Sequence, residues 1–258
     1  MTQYVDWKFA KSTGARLVPP GPDVSEDEAA EAVAEIRELA AAAVAPVAAT
    51  SRLTAPGDAP APLVVDRPTW IEVNADSMAA LLQPALERVA SRRGKEPSAA
   101  AQAIGSKVTA VEAGGMLAFL STKVLGQYDI APDGTPALLL VAPNIVATER
   151  ELGVTSRDFR LWVCPMRCSR SQGVPSVATI RERFTRRRKG AGAADRMLRR
   201  LLGLEAKMRQ YRDGADFVRG VQEQVGVDGF NAVWTSPETL PTPLEITDPT
   251  TWVRRVHG

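Results

Sequence analysis

The stretch SAAAQAIGSKVTAVEAGGMLAFLSTKVL, residues 98–125, limits the fold more than any other. Ile104, Val108, Val111, Met116, Leu117, Phe119, Leu120 and Val124 fall at helical spacing and cover nearly the whole circumference. Such a helix predicts burial on several sides, so the rest of the chain must supply elements to pack around it. Gly114 and Gly115 leave room for another backbone to approach. Its longest apolar run, AGGMLAFL (113–120), is too short to span a bilayer.

Packing partners are present on both sides. In VSEDEAAEAVAEIRELAAAAVAPV (24–47), Ser25 and Glu28 form a capping box, and Glu26, Asp27 and Glu28 suit the positive end of a helix dipole. Pro46 is expected to end that helix. SRLTAPGDAPAP (51–62) reads as a loop, and PLVVD (62–66) as a short strand stopped by Pro68. WIEVNADSMAALLQPALERVASRRG (70–94) has helical spacing, with a kink expected at Pro84. ALLLV (137–141) is a second strand. A helix capped by Thr155 or Ser156 then runs through Phe159, Leu161, Trp162 and Val163, and Pro165 stops it.

PSVATIRERFTRRRK (175–189) is helical, with Ile180 and Phe184 on one side and arginines on the other. Residues 195–226 read as two helices around Gly203. The tail is turn-rich and closes on a short helix with Asp248 as cap and Pro249 at its first position. The pattern is mainly α with a small β element, and the 258 residues suffice for one large domain or two small ones.

Charge divides the chain. Residues 1–150 hold 13 basic against 18 acidic residues, and residues 151–258 hold 19 against 12. The basic half permits a nucleic-acid surface, but it reads more simply as a solvated arginine-rich face. RRRKG (186–190) has no interleaved aromatics of the kind that stack single-stranded bases. No basic, apolar leader opens the chain, and Cys164 and Cys168 cannot build a disulfide framework, so a reducing cytoplasm is the expected location.

The inventory of reactive groups is thin. His257, next to the C-terminus, is the one histidine, so any Ser-His or Cys-His pair would have to use it. Zinc sites take three or four ligands from Cys, His and carboxylates. Cys164 and Cys168 lie four apart, but Pro165 stands between them and no histidine is near. GLEAKMRQ lacks the glycines and hydroxyl of a phosphate loop.

Several stretches carry a resemblance: YVDWKFAKSTGARLVPPGP, LVVDRPTWIEVN, VLGQYD, LLLVAPNIV, ERELGV, DFRLWVC, VPSVATIRERF, RRLLGLEAKMRQYRDGADFVR and GFNAVWTSPETLPTP. Together they resemble the actinobacterial zincin-like metallopeptidases of type 2, a family also labelled as associated with biosynthesis of the deazaflavin coenzyme F-420. The resemblance implies a mostly helical, zinc-dependent metalloprotease domain. It also implies that the helix after DFRLWVC continues into H-E-x-x-H, with two histidines on zinc and a glutamate as general base.

The chain departs from the family at that place. Alignment on LWVC puts Met166 and Arg170 where the histidines belong and Arg167 where the glutamate belongs. Arginine is a permanent cation with no free lone pair, so it neither binds zinc nor takes a proton. The sequence then passes through CPMRCSRSQG to GVPSVATI, without the later zinc-site helix that the resemblance leads one to expect.

The expected organisation is an N-terminal part of a zincin-like domain over 1–165, an aberrant junction at 166–174 and a C-terminal helical part over 175–258. No catalytic, metal or cofactor-binding residue carries over from the family, and no zinc is expected in this chain. Three readings stay open: an inactive or truncated family member, a binding or scaffold protein using the basic half, and an intact protease misrepresented by a frameshifted or deleted sequence. Loss of core helices predicts marginal stability and an exposed apolar patch beside the helix that ends at Cys164, a face for a protein partner to cover.

Overall fold

In a computed structural model of the chain, residues 4–53, 61–93, 98–130, 134–164, 176–189 and 204–258 are described. They fall into two units. The first comprises residues 1–44 and 57–180, and the second comprises 45–56 and 181–258.

The first unit is built on a hairpin of long helices, α4 (Arg67–Arg93) and α5 (Ala99–Ser121), with α1 (Trp7–Leu17) laid across both. Asp6 caps α1 by accepting the Phe9 N–H at 2.9 Å. The approach of α1 to α5 depends on two glycines. A Cβ on Gly114 would sit 2.6 Å from the Ala10 carbonyl oxygen, and one on Gly14 would sit 2.9 Å from Ile71 Cγ2. Gly114 therefore does what the sequence suggested, whereas a Cβ on Gly115 would meet nothing within 4 Å. Val5, Trp7, Ala10, Trp70, Ile71, Ala75, Ala110, Leu117 and Ala118 join Leu139 and Val141 in the core.

A three-stranded sheet of order β1-β3-β2 closes this unit. β1 (Leu63–Val65) lies parallel to β3 (Pro136–Val141), and β2 (Gly126–Ile130) lies antiparallel to β3. Three helices complete it. They are α2 (Glu26–Ala42), whose Ser25–Glu28 capping box forms as expected, α6 (Ala142–Leu152) and α7 (Ser156–Val163).

Four expectations are corrected. Pro46 does not end α2, which stops at Ala42; it lies in the first turn of α3 (Val44–Ser51), where its missing N–H costs nothing. Pro68 likewise stands in the first turn of α4, behind the cap that Asp66 offers to the Thr69 N–H at 2.8 Å. The apolar helix α5 is also not buried all round. Ala110, Gly114, Leu117, Ala118 and Ser121 are buried, but Ile104 is 67% exposed, Val108 55% and Val111 46%. By length and composition, residues 101–121 would even suffice to cross a membrane, against the reading from the shorter run. The helix runs unbroken through Pro84 in α4.

The second unit contains α3 from residue 45 onward, α8 (Val177–Lys189) beyond Ile180, and α9 (Leu204–Asn231), followed by two short 3₁₀ turns. It ends with α10 (Pro243–Thr247) and α11 (Pro249–His257). α9 breaks at Gly226, whose φ of 72° is left-handed, close to where the sequence ended the helix. Phe217, Val221, Val233 and Trp252 form its core, with Trp252 edge-on to Phe217 at 5.7 Å and its indole N–H donated to the Thr239 carbonyl at 2.9 Å. The expected helix over 195–203 lies outside the described residues.

Candidate functional site

The place to look is the end of α7, where the resemblance would continue a catalytic helix. Phe159 and Val163 are fully buried, and Cys164 is 8% exposed. The helix holds its cysteine inward, with the thiol directed at the Ile36 carbonyl 3.7 Å away on α2. Burial pushes the Cys164 thiol up to about 12. At neutral pH it is neither a thiolate nucleophile nor a ready metal ligand. Among the described residues the apolar side of α7 is thus covered, and the exposed large apolar residues are spread over both units, with Leu81 and Leu82 on α4 and Ile104, Val108 and Val111 on α5 among them.

The polar side of α7 holds an ion network that the sequence did not reveal. Arg160 donates Nε to Glu149 Oε2 at 3.0 Å and Nη2 to Oε1 at 2.6 Å. Its Nη1 reaches Glu35 Oε2 at 2.5 Å, and Arg157 reaches Glu35 Oε1 at 3.1 Å. Burial would lower the Arg160 pKa, but the hydrogen bonds and charges of Glu149 and then Glu35 outweigh it and raise it. Glu149 is 3% exposed, so its charge is tolerable only because the guanidinium meets it with two bonds. One signal could have pointed to it. Glu149 shares a face of α6 with Ile145 and Leu152, both buried, and an acid on an apolar face needs a partner.

Between α2, α6 and α7 lies a polar cleft of about 310 Å³, lined in part by Glu28, Glu31, Glu149, Arg150, Ser156 and Arg160. Two of its three lining acids are already engaged. Glu28 closes the capping box and meets Arg150 at 3.3 Å, and Glu149 belongs to Arg160. Among the described residues, no three His, Cys, Asp or Glu side chains are placed to hold a metal ion.

The residues aligned with the zinc motif, Met166, Arg167 and Arg170, lie outside the described residues, as does Cys168. The two flanks of that segment are joined. Asp158 on α7 accepts the Ser176 N–H at 3.2 Å and its hydroxyl at 2.6 Å, and so caps α8, whose Ile180 is fully buried. His257 belongs to the second unit. Its Nε2 is 3.0 Å from the Gly229 carbonyl oxygen, and its ring lies edge-on to Trp252 at 5.6 Å. That is the environment of a packing histidine. Among the described residues the donor set does not fit zinc: one histidine held in packing, one buried protonated thiol, and no three His, Cys, Asp or Glu side chains brought together.

A second buried arginine pins the first unit together. Arg67, 9% exposed, donates Nε to Asn144 Oδ1 at 2.7 Å and Nη1 to the Pro19 and Pro20 carbonyls at 2.9 and 2.6 Å. Burial lowers its pKa. Asn144 in turn donates to the Ser121 and Val124 carbonyls, both at 2.6 Å. The basic residues of the second unit are partly spent on similar work. Arg255 meets Glu245 at 2.6 Å, Arg219 meets Asp216 at 3.1 Å, and Arg52 meets Asp228 at 2.5 Å.

These features can be set beside known proteins. A crystal structure of "a putative hydrolase with a novel fold from Chloroflexus aurantiacus" is similar, with a TM-score of 0.70 and 25% sequence identity; the likeness covers 97% of this chain and 98% of that one. No curated protein shows significant similarity. A family model described as zincin-like metallopeptidase matches residues 5–168 and again residues 166–253, two segments that meet at 166–168. By that match over nearly its whole length, the mainly α chain described above belongs to the zincin-like metallopeptidase family.

Proposed function

We propose that these 258 residues form a non-catalytic member of the family, shortened at residues 166–174, which keeps the zincin-like scaffold but not its zinc chemistry. One observation carries the reading. The chain has a single histidine, and it packs on Trp252 and Gly229 in the second unit. A zincin needs two histidines one turn apart and a carboxylate between them in sequence, and Met166, Arg167 and Arg170 supply none of these. The family match supports the position of the loss, since it divides where the junction was placed. The Asp158–Ser176 clamp supports a chain that still closes across the gap.

The role left to such a scaffold is binding, in a cytoplasm reducing enough to keep Cys164 a thiol. The test is metal content of the purified protein by mass spectrometry, with a chelator-sensitive peptidase assay beside it. Less than about one zinc per ten chains and no chelator-sensitive cleavage is the expected result, given that structural and catalytic zinc binds near stoichiometrically. One tightly held zinc per chain overturns the proposal.

A second reading is favoured by CPMRCSRSQG itself, a Cys/Arg/Ser-rich stretch between two amphipathic helices. In that reading the native protein is a working zinc protease and the sequence carries a frame disturbance near Cys164. Resequencing the codons for residues 160–178 decides between the two: a restored H-E-x-x-H establishes the protease, and an unchanged CPMRCSRSQGVP removes it.

A further inference from the structure

The exposed face of α5 is a feature that the family's chemistry does not use. Ile104, Val108 and Val111 form one stripe, continued by Ala101 before them and Gly115 after them, at the alternating three- and four-residue spacing of a helix–helix seam. Added Cβ atoms at Gly105 and Gly115 meet nothing within 4 Å, so the backbone there is open to a close neighbour. The face opposite is taken by α1 and α4, which pack on Ala110, Gly114 and Leu117.

Two charges flank the stripe. Lys107 stands on one side and Glu112, five residues further on, stands on the other. Both are exposed, and among the described residues neither has a partner. In a parallel pair of identical helices, the residue just before one seam position faces the residue just after the next one on the other strand. Lys107 of one copy would then meet Glu112 of the other, twice over, about one seam.

We propose that α5 is a self-association face, and that its occupant is a second copy of this chain packed parallel along Ala101, Ile104, Val108, Val111 and Gly115. A lipid surface suits the stripe less well, because Lys107 and Glu112 stand at mid-helix, where bilayer burial is costly. The seam is short compared with interfaces that bury about 1,200–2,000 Å², so the pair is a weak and reversible one.

The test is sedimentation equilibrium of the full chain up to about 0.2 mM, which populates complexes of micromolar to sub-millimolar affinity. A species of twice the 27.7 kDa chain mass is expected. Lys107→Glu or Glu112→Lys alone should weaken it about tenfold, as expected for juxtaposed like charges, and the double exchange should restore it. Val108→Lys should abolish it with helical content unchanged by circular dichroism.

A monomer at the highest concentration overturns the proposal. So does a dimer indifferent to the charge exchanges, since that dimer uses another face or an antiparallel register. A monomer that binds neutral phosphatidylcholine vesicles through Val108 also overturns it, by assigning the stripe to lipid.

Discussion

Arg160–Glu149 in the first unit and Arg255–Glu245 in the second are the same two side chains in the same two-bonded arrangement, put to different uses. Arg255 donates Nε to Glu245 Oε1 at 2.6 Å and Nη2 to Oε2 at 3.0 Å, the counterpart of the Arg160 geometry. Glu245, however, is also the acid of a capping box. It accepts the Thr242 N–H at 2.8 Å and its hydroxyl at 3.0 Å, while Arg255 additionally holds the Glu238 and Leu240 carbonyls. Glu149 has no such local role, and its partners come from α7 and through Arg160 from α2. One pair fastens a turn; the other fastens three helices, α2, α6 and α7.

The sharpest way to break this comparison is to remove one member of each pair. Arg160→Met leaves Glu149 buried and unpaired, and the expected loss is about 3–5 kcal/mol by urea denaturation. The double variant Glu149→Leu/Arg160→Met should recover most of it, because buried ion pairs replaced by apolar side chains are often neutral. Arg255→Met should cost less, since Arg255 is partly exposed and Glu245 keeps its Thr242 bonds. Equal losses in the two units would show that burial does not separate the pairs.

Packing of α1 on α5 gives a second, smaller contrast, within one helix. Gly114→Ala drives a Cβ into the Ala10 carbonyl, and overpacking of this kind costs about 1–3 kcal/mol. Gly115→Ala meets open space and should stabilise by up to about 1 kcal/mol through helix propensity. Thermal melts of both variants check the pair. A neutral Gly114→Ala would mean that α1 does not lie as close to α5 as described.

How much of this could be read from the sequence follows from range. The Ser25 capping box, the strands of 63–65 and 136–141 and the last helix are local, and periodicity or cap chemistry shows them. β2 was not read as a strand because GQYDI has little β-pattern of its own; it exists because β3 offers it an edge. α6 was missed because it begins straight out of β3, with Pro143 at its start in place of a loop. The all-round burial expected of α5 failed for a related reason. Apolar side chains show what a helix could bury, but only neighbours decide which face is covered. Glu35 meets Arg160 across 125 positions, and nothing short-range marks that pairing. That the chain has a single histidine, by contrast, is legible at once, because residue type needs no partner to be read.

The pH response distinguishes the two units next. Hydrogen bonds from Arg255 and then from the Thr242 backbone hold the Glu245 carboxyl down to about 2. An unfolded glutamate titrates near about 4.3, so the folded unit binds this proton less readily than the unfolded chain. The stability it contributes is complete above that unfolded value and is lost as pH falls through about 2. The difference in stability between the natural chain and Glu245→Gln should therefore be constant from pH 7 to about 5 and shrink steadily below that. A difference that persists unchanged at pH 2.5 would show that the carboxyl's charge is not what Arg255 and Thr242 hold.

The smallest effect concerns the residue at which the two histories of the chain divide. Cys164 is free, buried on the Ile36 carbonyl and protonated to about pH 12, so the C-cap residue of α7 is packed against α2. A Cys168→Ser variant leaves it as the sole thiol. At pH 8 that variant should fail to react with a thiol-specific aromatic disulfide until urea unfolds the first unit, and the reaction should then track the loss of helix. Rapid labelling of the folded variant would place Cys164 at the surface. α7 would then end open, as a helix does when the elements that should follow it are absent, and the closed scaffold proposed for this chain would give way to a domain still missing its cover.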